Sequence, residues 1–379
     1  MGGALLLILA ACGGGGTGPT FGVVTASPGS QGPAAPANAC SAAAPGPKTY
    51  PGWPGGTNPV AVADIIPEVV STELAVGPNR FLMTIIDSKN NLVASASVPV
   101  DLRFYDLAKD PATAASSMQG TFLDSGNGLG LYRASVTFSC SGDWGVEVIA
   151  HRSTGDGTAR VVFQVEPQTT TPAIGAPAPH VDTPTATDAA GIARVSTDPS
   201  PDPDFYRLTI TQAVTSGKPA LIIFATPAFC RTAVCGPTLN RVKSVAAGFA
   251  GLMDFVHVEP YVMQWTGTSL QPVLDASGNL QPIPADDVYG LQTEPYTFVV
   301  DSSGRIAAKF EAMVGADELT SALQAVTGQP GASIPPSTAP APTSVPAAPA
   351  PAAPTSAPAA PTPAAPTPAA PTPAPSGGY

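Results

Sequence analysis

Apolar residues change period along this chain, and the changes divide it. Between residues 59 and 167 they alternate in short runs, the mark of strands with one buried face. Tyr132, Ala134, Val136 and Phe138 fall on one side, while Arg133, Ser135, Thr137 and Ser139 fall on the other. Similar runs occupy 80–86, 92–94, 100–104, 146–150 and 160–165, with turn-forming residues such as those at 87–91 between them. The pattern predicts an antiparallel β-sandwich, with Gly142-Asp143-Trp144-Gly145 as the hairpin between two core strands.

Residues 204–328 mix periods. A short helix is predicted within 206–215 and a fully buried strand at the apolar run 220–224. Leu239, Val242, Val245, Ala246 and Phe249 recur at helical spacing, and Pro237 reads as the first position of that helix. A strand is expected at 255–259 and a polar stretch of turns at 260–293. Next come a hairpin of 296–301 and 305–310, and a closing helix at 316–326 with Asp317 and Glu318 in its first turn.

The remaining segments show no periodicity. The chain has 379 residues, of which 46 are proline, 38 are glycine and only 11% are charged, so the folded part is shorter than the chain. Residues 12–58 read as a disordered Gly/Pro/Ala tether, 168–203 as a linker, and 329–379 as a disordered polyproline II tail repeating Pro-Thr-Pro-Ala-Ala. The net charge of −11, with no basic cluster, excludes nucleic acid as a partner.

The apolar run at 4–11 is too short to span a bilayer. It ends in Leu9-Ala10-Ala11-Cys12 followed by four glycines, which resembles a bacterial lipobox. That resemblance implies a signal segment at 1–11, a lipid on Cys12 and an extracytoplasmic protein anchored to the cell membrane. Basic residues normally precede such a run, but the first here is Lys48, so the start is expected upstream of Met1.

Cys230 and Cys235 sit where the strand 220–224 hands over to the helix, a position where unpaired amides and the helix dipole favour a thiolate. With Pro237 opening the helix, both sulfurs are expected in the loop, and the stabilisation favours Cys235 over Cys230. Three readings stay open: a redox-active dithiol with Cys230 attacking and Cys235 resolving, a permanent structural disulfide, and a metal site. Cys140 continues the inward phase of its strand and reads either as a small buried residue or as a disulfide partner for Cys40. The histidines are His151, His180 and His257; none forms a Cys/His cluster with metal spacing, so no metal ligand and no cofactor is predicted.

Residues 130–148, with Tyr132 and Trp144 in a Gly-x-Tyr … Gly-x-Trp-x-Val-x-Val pattern, resemble YtkA-like and related immunoglobulin-like periplasmic modules. Lys218-Pro219-Ala220, the run to Phe224, Thr226-Pro227 and the cysteines, followed by Glu294-Pro295-Tyr296-Thr297-Phe298, resemble the thioredoxin superfamily. Its extracytoplasmic TlpA-like and peroxiredoxin-like branches are the most similar. The resemblance implies an α/β thioredoxin-like domain at 204–328. In it a cis-Pro295 faces the cysteines, and Phe229 and Glu294 border the substrate groove. It implies thiol–disulfide exchange with exported proteins, by a monomer. Three departures stand out: four residues separate the cysteines rather than two, the preceding strand carries no buried carboxylate, and Phe229 replaces the usual Trp. Sco-type copper chaperones are also thioredoxin-like, and they supply the alternative of a binding or copper-delivery module.

Overall fold

The computed structural model describes Cys40, residues 49–56, 64–124, Gly126 and 130–329. The signal segment, Cys12, most of the tether and the tail from residue 330 lie outside the described residues. What is described is dominated by antiparallel sheet with few helices.

Seven strands form the first body: β1 (Ile66–Val69), β2 (Gly77–Ile86), β3 (Val100–Asp106), β4 (Ser116–Asp124), β5 (Gly130–Phe138), β6 (Gly142–Arg152) and β7 (Gly155–Val165). Their order is β1-β2-β5-β4-β3-β6-β7, antiparallel throughout. β4 turns the sheet on itself, pairing through residues 116–120 with β3 and through 121–124 with β5. The two halves meet on an aromatic core in which Phe81 lies 5.0 Å from Phe104, and Phe138 5.7 Å from Phe163, centroid to centroid.

The structure corrects the sequence at several points. Gly142 to Gly145 are not a hairpin; they pair with Val165 to Val162 inside β6, and the turn falls at 139–141. Gly145 belongs in the strand because the Trp53 ring lies where its Cβ would be. Residues 92–94 form no strand, because the Val93 and Ala94 amides both donate to the Ile85 carbonyl. The tether is also ordered in part. Cys40 is bonded to Cys140 with the Cα atoms 4.9 Å apart. Trp53 is fully buried, donates from Nε1 to the Pro111 carbonyl (2.9 Å) and lies under the Arg160 guanidinium.

The second body is a four-stranded sheet in the order β13-β12-β8-β9, from β8 (Ala220–Phe224), β9 (Asp254–Val258), β12 (Tyr296–Val300) and β13 (Ile306–Glu311). β8 and β9 are parallel, joined through α3 (Cys235–Ala246); the other pairings are antiparallel. Alternate residues of β8 face opposite layers, which is why all five are apolar and buried. Leu221 and Ile223 pack under α3 and α5 (Ala316–Thr327), while Ala220, Ile222 and Phe224 pack against α2 (Ile210–Thr215) and α4 (Pro284–Tyr289). The stretch 260–293 holds α4 and a small hairpin of β10 (Met263–Trp265) with β11 (Leu270–Pro272), rather than turns alone.

Residues 168–203 are a structured strap rather than a free linker. Ala178 and Ala186 are buried in the second body, as is Ile192 of α1 (Ala189–Ile192). Proline-rich sequence has less backbone entropy to lose, which makes such an ordered strap inexpensive. Both bodies fall within one compact unit. Arg80 of β2 donates to both Glu318 oxygens (2.6 and 2.9 Å) and to the Met313 and Glu311 carbonyls. Glu73 accepts from Thr171 and Tyr296 and lies 3.5 Å from Lys309, and Glu311 accepts from Thr72.

Candidate functional site

β8 ends at Phe224, and after Ala225 the chain turns: the Phe229 amide donates to the Thr226 carbonyl (3.2 Å), and the Ala228 amide to Thr197 Oγ1 of the strap (3.2 Å). Ala233, at φ 61°, brings the loop back to the helix. Cys230 and Cys235 are disulfide-bonded across it with Cα atoms 5.9 Å apart.

Contrary to the sequence expectation, α3 begins at Cys235 and not at Pro237. A proline is tolerated at the third helical position because the first four amides of a helix have no intrahelical acceptor anyway. This start separates the two sulfurs. Cys235 is fully buried inside the helix's first turn, whereas Cys230 is half-buried in the loop before it. No side chain caps α3 at Val234; instead the Cys235 amide donates to Cys230 Sγ (3.2 Å). The first amide of the helix is thus aimed at the accessible sulfur, that of Cys230.

Glu294 fastens this loop from the other side. It is buried, accepts from the Arg231 amide through Oε1 (3.2 Å) and from Tyr261 Oη through Oε2 (2.8 Å), and its carbonyl accepts from Thr232 Oγ1 (3.0 Å). Thr232 Oγ1 also lies 3.3 Å from Cys230 Sγ. The Glu294–Pro295 peptide is cis. A Glu294 carboxylate oxygen and both sulfurs lie within 4.8 Å of one another. Burial, and then the bond to Glu294, push the Tyr261 hydroxyl above its ordinary pKa. Nearby, burial raises Asp286 to about 7, with the charges of Asp287 and Glu294 adding to it.

Of the residues the sequence assigned here, Cys230, Cys235 and Glu294 are brought together. Phe229 faces elsewhere, lining an open groove of about 480 Å³ with Ile192, Pro199, Pro201, Trp265 and Leu270. Glu294 is not among the groove's walls. Three of those walls come from the strap, and two from the β10–β11 hairpin and its turn, segments whose sequence carried no periodic signal. Cys40 and Cys140 form the second disulfide, in the other body.

No histidine joins the cysteines among the described residues. His257 is fully buried, with Nδ1 2.9 Å from Tyr206 Oη and Nε2 2.9 Å from the Ala225 carbonyl, and burial lowers its pKa. His151 lies between Asp101 and Asp156, and His180 is exposed on the strap. Among the described residues no helix is long and apolar enough to cross a membrane, and the two disulfides are consistent with an extracytoplasmic setting.

No family model matches the chain, and no curated protein matches it. Among solved structures it is similar to an engineered protein (13% identity, 27% of this chain, TM-score 0.18), of whose length it spans 20%. It is also similar to a fibronectin type-III domain of human fibronectin type III domain containing protein 3 (12% identity, 30% of this chain and 94% of that one, TM-score 0.18). A third likeness is to the PKD domain of the human VPS10 domain-containing receptor SorCS2 (11% identity, 41% of this chain and 96% of that one, TM-score 0.16).

Proposed function

We propose that this chain is an extracytoplasmic, lipid-anchored protein that exchanges thiols and disulfides with exported proteins. Its thioredoxin-like body carries the chemistry, and its immunoglobulin-like body positions it. The observation that carries the reading is the asymmetry of the cysteine pair. A half-exposed sulfur receives a helix N-terminal amide while its partner is sealed in the helix.

The division of labour follows. In the reduced form the Cys230 thiolate attacks a disulfide of the partner, forming a mixed disulfide and releasing one partner thiolate. Cys235 then attacks Cys230 Sγ, the mixed bond breaks, the second partner thiol leaves and the Cys230–Cys235 bond closes. Two electrons pass from the dithiol to the partner; the reverse sequence oxidises a partner dithiol. Glu294 and Thr232 hold the loop while the bond opens and closes. The same asymmetry disfavours a simple loop clip, because a clip gains nothing from an amide aimed at one sulfur. Copper delivery by way of a histidine is disfavoured by the commitments of His257.

Thiol trapping of the purified chain across a series of dithiothreitol poises, with Cys230→Ser as control, tests the reading. Reversible opening in the range of known exchange proteins is expected. A bond that stays closed below about −300 mV would behave as structural and end the proposal.

A further inference from the structure

We propose that the reduced site binds a divalent zinc-class cation through Cys230 Sγ, Cys235 Sγ and a Glu294 carboxylate oxygen. The proposal rests on the reading above only in needing the Cys230–Cys235 bond to be reducible.

The three donor atoms already lie within 4.8 Å of one another. Sulfurs bound about 2.3 Å from a tetrahedral ion are about 3.8 Å apart, so the closed disulfide need only part for an ion to fit. Glu294 is a buried carboxylate beside two sulfurs, and among the described residues no Lys or Arg pairs with it. Buried charge is ordinarily paired or bound to metal. The groups hydrogen-bonded to this cluster are neutral: the Arg231 amide and Tyr261 hydroxyl on Glu294, and the Cys235 amide and Thr232 hydroxyl on Cys230; the Arg231 charge is felt at Tyr261 and is offset by that of Asp286. Such donors orient ligands as an outer shell does, and they leave each ligand atom a lone pair. They do not neutralise two thiolates and a carboxylate, whereas a dication does.

The donor set also selects the ion. Two thiolates with a carboxylate oxygen suit zinc, while Cu(I) prefers soft ligands throughout. Arg231, Thr232 and Ala233 are exposed, which gives an ion access from the Cys230 side and leaves room for water as a fourth ligand. Binding exchanges two thiol protons for the ion, so the metal and the disulfide are mutually exclusive states of one site.

The test is titration of the full chain with Co(II), after reduction by a phosphine, followed by displacement with Zn(II). Thiol trapping is run on the same samples, and Cys230→Ser gives the background from Cys12, Cys40, Cys140 and the lone Cys235. Expected are one Co(II) per chain above that background, with the sulfur-to-cobalt charge-transfer band of a tetrahedral site, and no such band in the oxidised chain. Glu294→Gln should weaken Zn(II) binding at least about tenfold, and Tyr261→Phe, which removes only the orienting bond, by about tenfold. Free Cys230 and Cys235 thiols without a cobalt band would overturn the site and leave the exchange reading standing. Unchanged affinity in folded Glu294→Gln would overturn the ligand set. A bond that no reductant opens would overturn both readings.

Discussion

Cys230 and Cys235 are chemically identical residues that their surroundings have made unlike. Replacing each should therefore have different consequences. With Cys235→Ser, a partner or a small-molecule disulfide should remain attached at Cys230, visible as a mass increase on intact protein. With Cys230→Ser no such adduct should form, because the remaining sulfur is buried. Equal trapping by the two variants would contradict the assigned roles. The cysteines themselves were legible from spacing alone, since a strand, two cysteines and a helix adjoin in sequence. Glu294 was placed near them only through the Pro295 resemblance, because no local pattern can report a contact made so far along the chain. His257 gives the residue-scale pH prediction. Its folded pKa is depressed by burial, so between that value and about 6.5 the unfolded chain binds the extra proton. Stability contributed by neutral His257 is present above about pH 6.5 and is lost as pH falls, with a slope approaching about 1.4 kcal/mol per pH unit. Urea midpoints measured from pH 7.5 to 5.5 should decline in the wild type, and His257→Gln should flatten the decline.

Among the elements, those buried on both faces or strictly alternating were readable, and those lying half in solvent were not. β8 is apolar at every position because it is covered on both sides, and β5 alternates because one face is solvated. β4, with the sequence SSMQGTFLD, buries only Leu123 fully, so it offers no apolar stripe even though it joins the two halves of its sheet. The start of α3 was misplaced for a different reason. Pro237 is as comfortable at the third helical position as at the first, so proline alone does not mark the boundary. α4 is a six-residue helix that ends on Gly290 at φ 63°, with the Thr170 carbonyl where a Cβ would go. Gly290→Ala should destabilise the chain by at least about 1 kcal/mol from the left-handed conformation alone. A urea midpoint unchanged from wild type would show that the stretch 260–293 unfolds independently of the rest.

At the scale of the whole molecule, the sequence suggested two domains on a string, whereas the structure joins them through charges and a proline-rich strap. The composition of 168–203 is that of a spacer, and only its contacts, which lie far apart in sequence, make it a structural member. Arg80 is central to that join, since its guanidinium is shared among Glu318 and two carbonyls of the other body. Arg80→Ala should cost about 2 kcal/mol, because it removes charge-assisted hydrogen bonds across the join while Glu318 keeps Arg133 as an ion-pair partner. Calorimetry should show one unfolding transition for the wild type and two for Arg80→Ala; a variant trace that matches the wild type's would refute the coupling.

The Cys40–Cys140 bond has a mechanical side. If the chain is tethered through Cys12, a pull from the membrane reaches Cys40 and passes directly into the β5–β6 turn, bypassing everything between. The bond closes a span of 100 residues, which is about 330 Å of contour that tension cannot draw out while it stays oxidised. Stretching single molecules from the N-terminus should release that length only after reduction. For a chain held at its N-terminus, the oxidation state of this one bond decides whether the unfolded span can be drawn out under load.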